Sequence, residues 1–116
     1  MIRVLLVDDQ TLVRQGVRSL LALAEGIEVV AEAGDGRQAV EIIPQIKPDV
    51  VLMDMRMPVM SGLEALQALA RTNNLPPTII LTTFDDDQLV LAGLKAGAKG
   101  YLLKDVSLEQ LVGAIQ

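Results

Sequence analysis

Four short apolar runs in this chain each stop at a polar residue. Residues 4–7 precede Asp8 and Asp9, residues 50–53 precede Asp54, residues 79–81 precede Thr82, and residues 101–103 precede Lys104. Unbroken runs of this kind predict strands buried on both faces, as in a parallel sheet covered by helices. A fifth run, residues 27–33, carries Glu28 and Glu32 and predicts an edge strand. Helical spacing fills the intervals. Over residues 10–24 the residues Leu12, Val13, Val17, Leu20 and Leu21 form one apolar stripe, which Glu25 and Gly26 end.

Gly34, Asp35 and Gly36 turn the chain into a helix reaching about residue 46, with Pro44 weakening its last turn. Pro48 and Asp49 introduce the third strand, and Ser61 with Glu64 forms a capping box for a helix over 62–71. Residues 73–77 are a turn cluster. Asp85, Asp86 and Asp87 suit the first turn of a fourth helix, which Gly97 stops, and Ser107 with Gln110 caps a short fifth helix. Five strand–helix alternations in one unit predict an α/β fold: a doubly wound, five-stranded parallel sheet with five helices. Open sheets of this kind bind ligands outside the carboxyl ends of their strands, which is where the polar groups fall.

Each of those groups has an ordinary reading when taken alone. Asp8 and Asp9 suit a solvated loop or a helix cap, Lys104 a surface lysine, and Thr82 and Thr83 β-branched strand positions, a reading preferred for Thr83. Their recurrence at four strand ends argues for one site. Two carboxylates about 5 Å apart at an effective dielectric of about 20 repel by roughly 3 kcal/mol, and a divalent cation removes that repulsion. Magnesium fits best, because it takes one or two carboxylates and leaves room for phosphate oxygens. Thr82 can donate a hydroxyl to an anion, and Lys104 supplies a fixed positive charge.

Composition narrows the chemistry. The 116 residues suit one domain and include no cysteine and no histidine, which excludes disulfides, thiol chemistry and the usual zinc or haem ligation. A net charge of −5 argues against a nucleic-acid surface, so any DNA reading falls to another domain. The apolar stretches fall far short of the roughly 20 residues that span a bilayer, and no secretory signal pattern is present, so no membrane association and a cytoplasmic location are expected.

The chain resembles a bacterial response-regulator receiver domain over nearly its whole length. The resemblance rests on Val4-Leu5-Leu6-Val7-Asp8-Asp9, on Asp54-Met55-Arg56-Met57-Pro58 with Ser61-Gly62, on Leu81-Thr82-Thr83-Phe84, and on residues 96–104 ending in Lys104. Arg14 and Gly16, the three Asp after Phe84, and Leu102-Leu103-Lys104-Asp105 are similar to the NarL/FixJ class. The resemblance implies a flavodoxin-like sheet of order 2-1-3-4-5. It implies Asp54 as phosphoacceptor from a sensor histidine kinase, and Mg2+ held by Asp9, Asp54 and the backbone carbonyl of Arg56, with Asp8 acting through water. Lys104 and Thr82 would contact phosphoryl oxygens, and Tyr101 would swing inward as Thr82 moves. Residues 1–116 would be the receiver, with a C-terminal helix-turn-helix output domain expected in the parent protein and absent from this chain. The resemblance leaves room for a homodimer on phosphorylation.

One departure is Asp105, where many receivers place a proline behind a cis peptide. A non-proline cis bond costs about 2.5–4 kcal/mol, so a trans bond is expected. Two other readings compete. An unphosphorylated interaction module would have no need of Asp8, Asp9, Asp54, Thr82 and Lys104 together. A magnesium-dependent phosphohydrolase would need an acid near the nucleophile, and Arg56 stands two residues beyond Asp54. Flavin binding is more distant still, with no Trp to stack on the ring.

Overall fold

A computed structural model describes residues 1–83, 87–104 and 107–115. Five strands alternate with five helices: β1 (Ile2–Val7), α1 (Thr11–Leu21), β2 (Ile27–Ala33), α2 (Gly36–Ile46), β3 (Val50–Asp54), α3 (Gly62–Arg71), β4 (Thr78–Thr82), α4 (Asp87–Ala96), β5 (Gly100–Leu103) and α5 (Leu108–Ile115). All strand pairs are parallel, and the sheet order is β2-β1-β3-β4-β5. This is the doubly wound, flavodoxin-like arrangement expected from the alternation and the resemblance.

The side-chain period of two along each strand divides the core into two layers. Leu5, Val7, Val51, Met53 and Ile80 face Ala39, Ile43, Ala65, Leu66 and Leu69 of α2 and α3. Val4, Leu6, Leu52, Ile79 and Leu81 face Leu21 of α1 with Leu111 and Ile115 of α5. Burial on both sides explains why β1, β3 and β4 read as unbroken apolar runs. β5 differs from the expectation of a buried strand: it lies at the sheet edge, its residues are half-buried, and Tyr101 is exposed.

The caps follow the sequence closely. Ser61 Oγ accepts from Glu64 N and Glu64 Oε1 accepts from Ser61 N, closing the capping box of α3. Ser107 and Gln110 make the same reciprocal pair at α5. Asp35 caps α2 by accepting from Gln38 N, and Pro44 is accommodated in the last turn before Lys47 adopts left-handed geometry. Gly97, at φ +123°, follows α4. Phe84, Asp85, Asp86 and Asp105 lie outside the described residues.

The stripe expected on α1 requires correction. Leu12 and Leu21 are nine positions apart, which is two and a half turns at 3.6 residues per turn, so they point in opposite directions. Leu21 is buried and Val17 packs beside it, whereas Leu12 is 83% exposed and Leu20 lies at the boundary. Thr83 likewise falls after the end of β4, exposed, and is not a strand residue.

Candidate functional site

Strand register brings the expected groups to one edge. Val7 pairs with Met53, so Asp8 and Asp54 leave neighbouring strands side by side. Asp54 pairs with Leu81 and Thr82 with Leu103, which carries Thr82 and Lys104 to the same end of the sheet. The Lys104 backbone N–H donates to the Thr82 carbonyl at 2.9 Å, extending the ladder by one step and fixing the lysine's origin.

The side chains converge from there. One carboxylate oxygen from each of Asp8, Asp9 and Asp54 lies within 4.8 Å of the others. Asp8 and Asp54 are buried and Asp9 is exposed. Lys104 Nζ is 3.1 Å from Asp54 Oδ2, 3.3 Å from Asp8 Oδ2 and 3.4 Å from Gln10 Oε1. Asp54 Oδ1 accepts from the Arg56 backbone N–H at 3.2 Å, and Asp8 Oδ1 accepts from Gln10 N at 2.8 Å. Asp8 Oδ2 is buried, and the Lys104 ammonium at 3.3 Å is its one close partner among the described residues.

Burial pushes the Asp54 carboxyl above its ordinary range, against the Arg56 N–H; the Asp8 charge adds to the rise and Lys104 opposes it. Burial works the other way on Lys104, pulling it down, but the Asp54 and Asp8 carboxylates outweigh that pull and the net direction is upward. Three ionised carboxylates against one ammonium leave the cluster at a formal −2. An all-oxygen, doubly negative cradle, in which a single ammonium serves two buried carboxylates, suits a hard divalent cation.

Thr82 is buried, and its hydroxyl donates to the carbonyl of Thr83 at 3.3 Å. Tyr101, expected to act with Thr82, is an exposed residue, with 54% of its surface accessible. A cavity of about 250 Å3 lies between α4 and β5, lined by Thr82, Val90, Leu94 and Tyr101 among others. Arg56 is exposed beyond the end of β3.

Three residues at the site are not assigned to it by the sequence: Gln10, Arg14, which enters only as part of the family pattern, and Glu32, which enters only as an edge-strand residue. Arg14 Nη1 donates to the Asp8 carbonyl, and Arg14 Nε donates to Glu32 Oε1 at 3.2 Å. A signal was present, because Arg14 is seven positions from Leu21, about two turns, and so shares the face that packs on the sheet. A cation on the buried side of a helix needs a partner.

Comparison with known proteins shows the family to which this fold belongs. The family model described as the response regulator receiver domain matches residues 4–116. The nitrate/nitrite response regulator protein NarP of Escherichia coli (strain K12) is 49% identical over 98% of this chain and 53% of its own length. The transcriptional regulatory protein LnrK of Bacillus subtilis (strain 168) is 44% identical over 99% of this chain and 52% of its own. The chain thus spans about half the length of such curated relatives. The solved receiver domain of the putative response regulator NarL from Mycobacterium tuberculosis superposes with a TM-score of 0.91 at 37% identity, over 98% of this chain and 92% of that one. This chain therefore belongs to the receiver-domain family of two-component response regulators, in its NarL/FixJ class.

Proposed function

We propose that the domain is a phosphorylation-activated switch that accepts a phosphoryl group from a sensor histidine kinase on Asp54, with Mg2+, and controls a DNA-binding output domain. The observation that carries this reading is the setting of Asp54: a buried carboxylate flanked by two further carboxylates within 4.8 Å and by the Lys104 ammonium at 3.1 Å. Phosphoryl transfer is mostly positioning and charge neutralisation, and both elements stand around one oxygen nucleophile.

Mg2+ would be held by Asp9, Asp54 and the Arg56 carbonyl, with Asp8 acting through a water. When bound, the ion supplies positive charge against the phosphoryl oxygens. Asp54 forms a new P–O bond as the P–N bond of the donor phosphohistidine breaks, and the bonding pair leaves with the imidazole. Lys104 transfers its contact from the free carboxylate to a phosphoryl oxygen. Thr82, whose hydroxyl now donates to its neighbour's carbonyl, turns to a second phosphoryl oxygen. Tyr101 then moves from solvent into the space between α4 and β5, remodelling that surface. Such a change is a population shift between two conformations.

Turnover is confined to the domain's own phosphorylation and slow dephosphorylation, a regulatory role rather than metabolic catalysis. Among the described residues no helix is long and apolar enough to cross a membrane. A cytoplasmic location, a C-terminal helix-turn-helix output domain in the parent protein, and a homodimer formed on phosphorylation accompany this reading. The test is intact-mass spectrometry after incubation with acetyl phosphate. One added phosphate that needs Mg2+ and is released by hydroxylamine is expected, whereas an unchanged mass leaves an interaction module as the better account.

A further inference from the structure

We propose that Arg14 is a positioning residue for the cation site, acting through the backbone of Asp8; this rests on the reading that the acidic cluster holds Mg2+. Three polar groups of Asp8 are fastened. Its N–H donates to the Ala33 carbonyl at 3.1 Å, its Oδ1 accepts from Gln10 N at 2.8 Å, and its carbonyl accepts from Arg14 Nη1. Arg14 is itself anchored, since Nε donates at 3.2 Å to Glu32, the neighbour of Ala33 on β2. Glu32 also accepts from Arg18, one turn further along α1.

The guanidinium therefore spans three elements, the end of β1, the end of β2 and the first turns of α1. That carbonyl belongs to the peptide joining Asp8 to Asp9, so holding it fixes the plane from which both carboxylates project. A rigid planar fork can bind a carbonyl and a carboxylate at once, which a lysine cannot reproduce. The position is half-buried, with 19% of the Arg14 side chain exposed, so solvent competes weakly for these bonds. Partners outside the metal's own ligands commonly change affinity by about 10–100-fold when removed.

The sign of the effect separates positioning from charge. Arg14 places a positive charge beside an acidic site, so if it were an electrostatic bystander its removal would tighten cation binding. Positioning requires the opposite. Calorimetric titration with MgCl2 is expected to give a Kd about tenfold higher for Arg14→Ala than for the wild type. Arg14→Lys, with its charge kept and its fork lost, should fall between them. Arg18→Ala, which loses a contact to Glu32 but none to Asp8, should stay within about twofold of the wild type.

A Kd for Arg14→Ala that is unchanged or lower, with the wild type binding Mg2+ normally, overturns the proposal and leaves the switch reading intact. Equal weakening in Arg18→Ala overturns it too, since the effect would then run through Glu32 alone. If Arg14→Ala fails to melt cooperatively, Arg14→Lys decides by the same criterion. A wild type that does not bind Mg2+ fails the underlying reading instead.

Discussion

Lys104 Nζ lies 3.1 Å from Asp54 Oδ2, joining residues 50 positions apart in an ion pair whose side chains are only 18% and 6% exposed. The pair does not balance. Burial keeps the Asp54 carboxyl above its ordinary value of 3.8 in spite of the ammonium, while Lys104 is held above 10.5. The charged carboxylate is thus a strained component of the fold, and the ammonium a stabilised one.

Replacing Asp54 with Asn should raise thermal stability at neutral pH. A carboxyl whose folded pKa is raised contributes stability that is complete below 3.8 and lost as the pH rises through the folded value. The variant escapes that loss. Melting curves across acid and neutral pH should show the variant ahead at neutrality and the gap closing towards pH 3.8. A wild type that melts higher at neutral pH would mean that the Lys104 contact outweighs burial.

Lys104 gives the complementary alkaline signature. Its stabilisation is complete below 10.5 and is lost as the pH rises through its raised folded pKa. Stability of the wild type should therefore fall more steeply above pH 10.5 than that of Lys104→Met. Parallel alkaline profiles would show that the ammonium gains nothing from its two carboxylates.

Gly62→Ala should be disruptive at the site itself. A Cβ there would stand 2.2 Å from the Asp54 carbonyl oxygen and 2.8 Å from Met55 Cα, both main-chain atoms that yield little. The Gly62 N–H also donates to the Met55 carbonyl at 3.1 Å, so the helix start is bound to the strand end carrying Asp54. A loss of about 1–3 kcal/mol or more is expected in urea unfolding, with slower phosphorylation in the folded fraction. Stability and rate both unchanged would contradict this close packing.

Gly16→Ala should do the reverse. Apart from its chain neighbours and the backbone of α1 itself, nothing lies within 4 Å of a Cβ at this exposed position. Alanine should therefore stabilise the domain by about 0.5–1 kcal/mol through helix propensity. Urea unfolding that shows a loss would mean the helix face is occupied in a way the isolated domain does not explain.

These contrasts show what the sequence could and could not convey. Strand identity, the caps at Ser61 and Ser107, and the convergence of Asp8, Asp9, Asp54 and Lys104 were legible, because burial and capping leave local patterns. Leu12 was misplaced because an apolar side chain in a helix can face solvent, and only its angular distance from Leu21 reveals this. The exposure of β5 depends on strand order, which no local pattern encodes and which the sequence conveys only through the family resemblance. The contact between Gln10 and Lys104 joins residues 94 positions apart through flexible side chains, so no spacing announces it.

Tyr101 is the only tyrosine and there is no tryptophan, so its emission reports on one side chain. Beryllofluoride with Mg2+, a phosphoryl mimic, should change that emission more than Mg2+ alone as the exposed ring moves towards the cavity it shares with Thr82. Thr82→Val should bind the mimic and give a reduced change. The full wild-type response in that variant would break the proposed coupling between the two residues.

The most direct test of the central claim locates the phosphoryl group. Borohydride reduces an aspartyl phosphate to homoserine, leaving a stable mark at the modified position. After incubation with acetyl phosphate and Mg2+, peptide mapping should find homoserine at position 54 and nowhere else, and none when Mg2+ is withheld. Homoserine at Asp8 or Asp9, or an unmodified Asp54 in protein that has gained phosphate, would contradict the assignment of Asp54 as the phosphoacceptor.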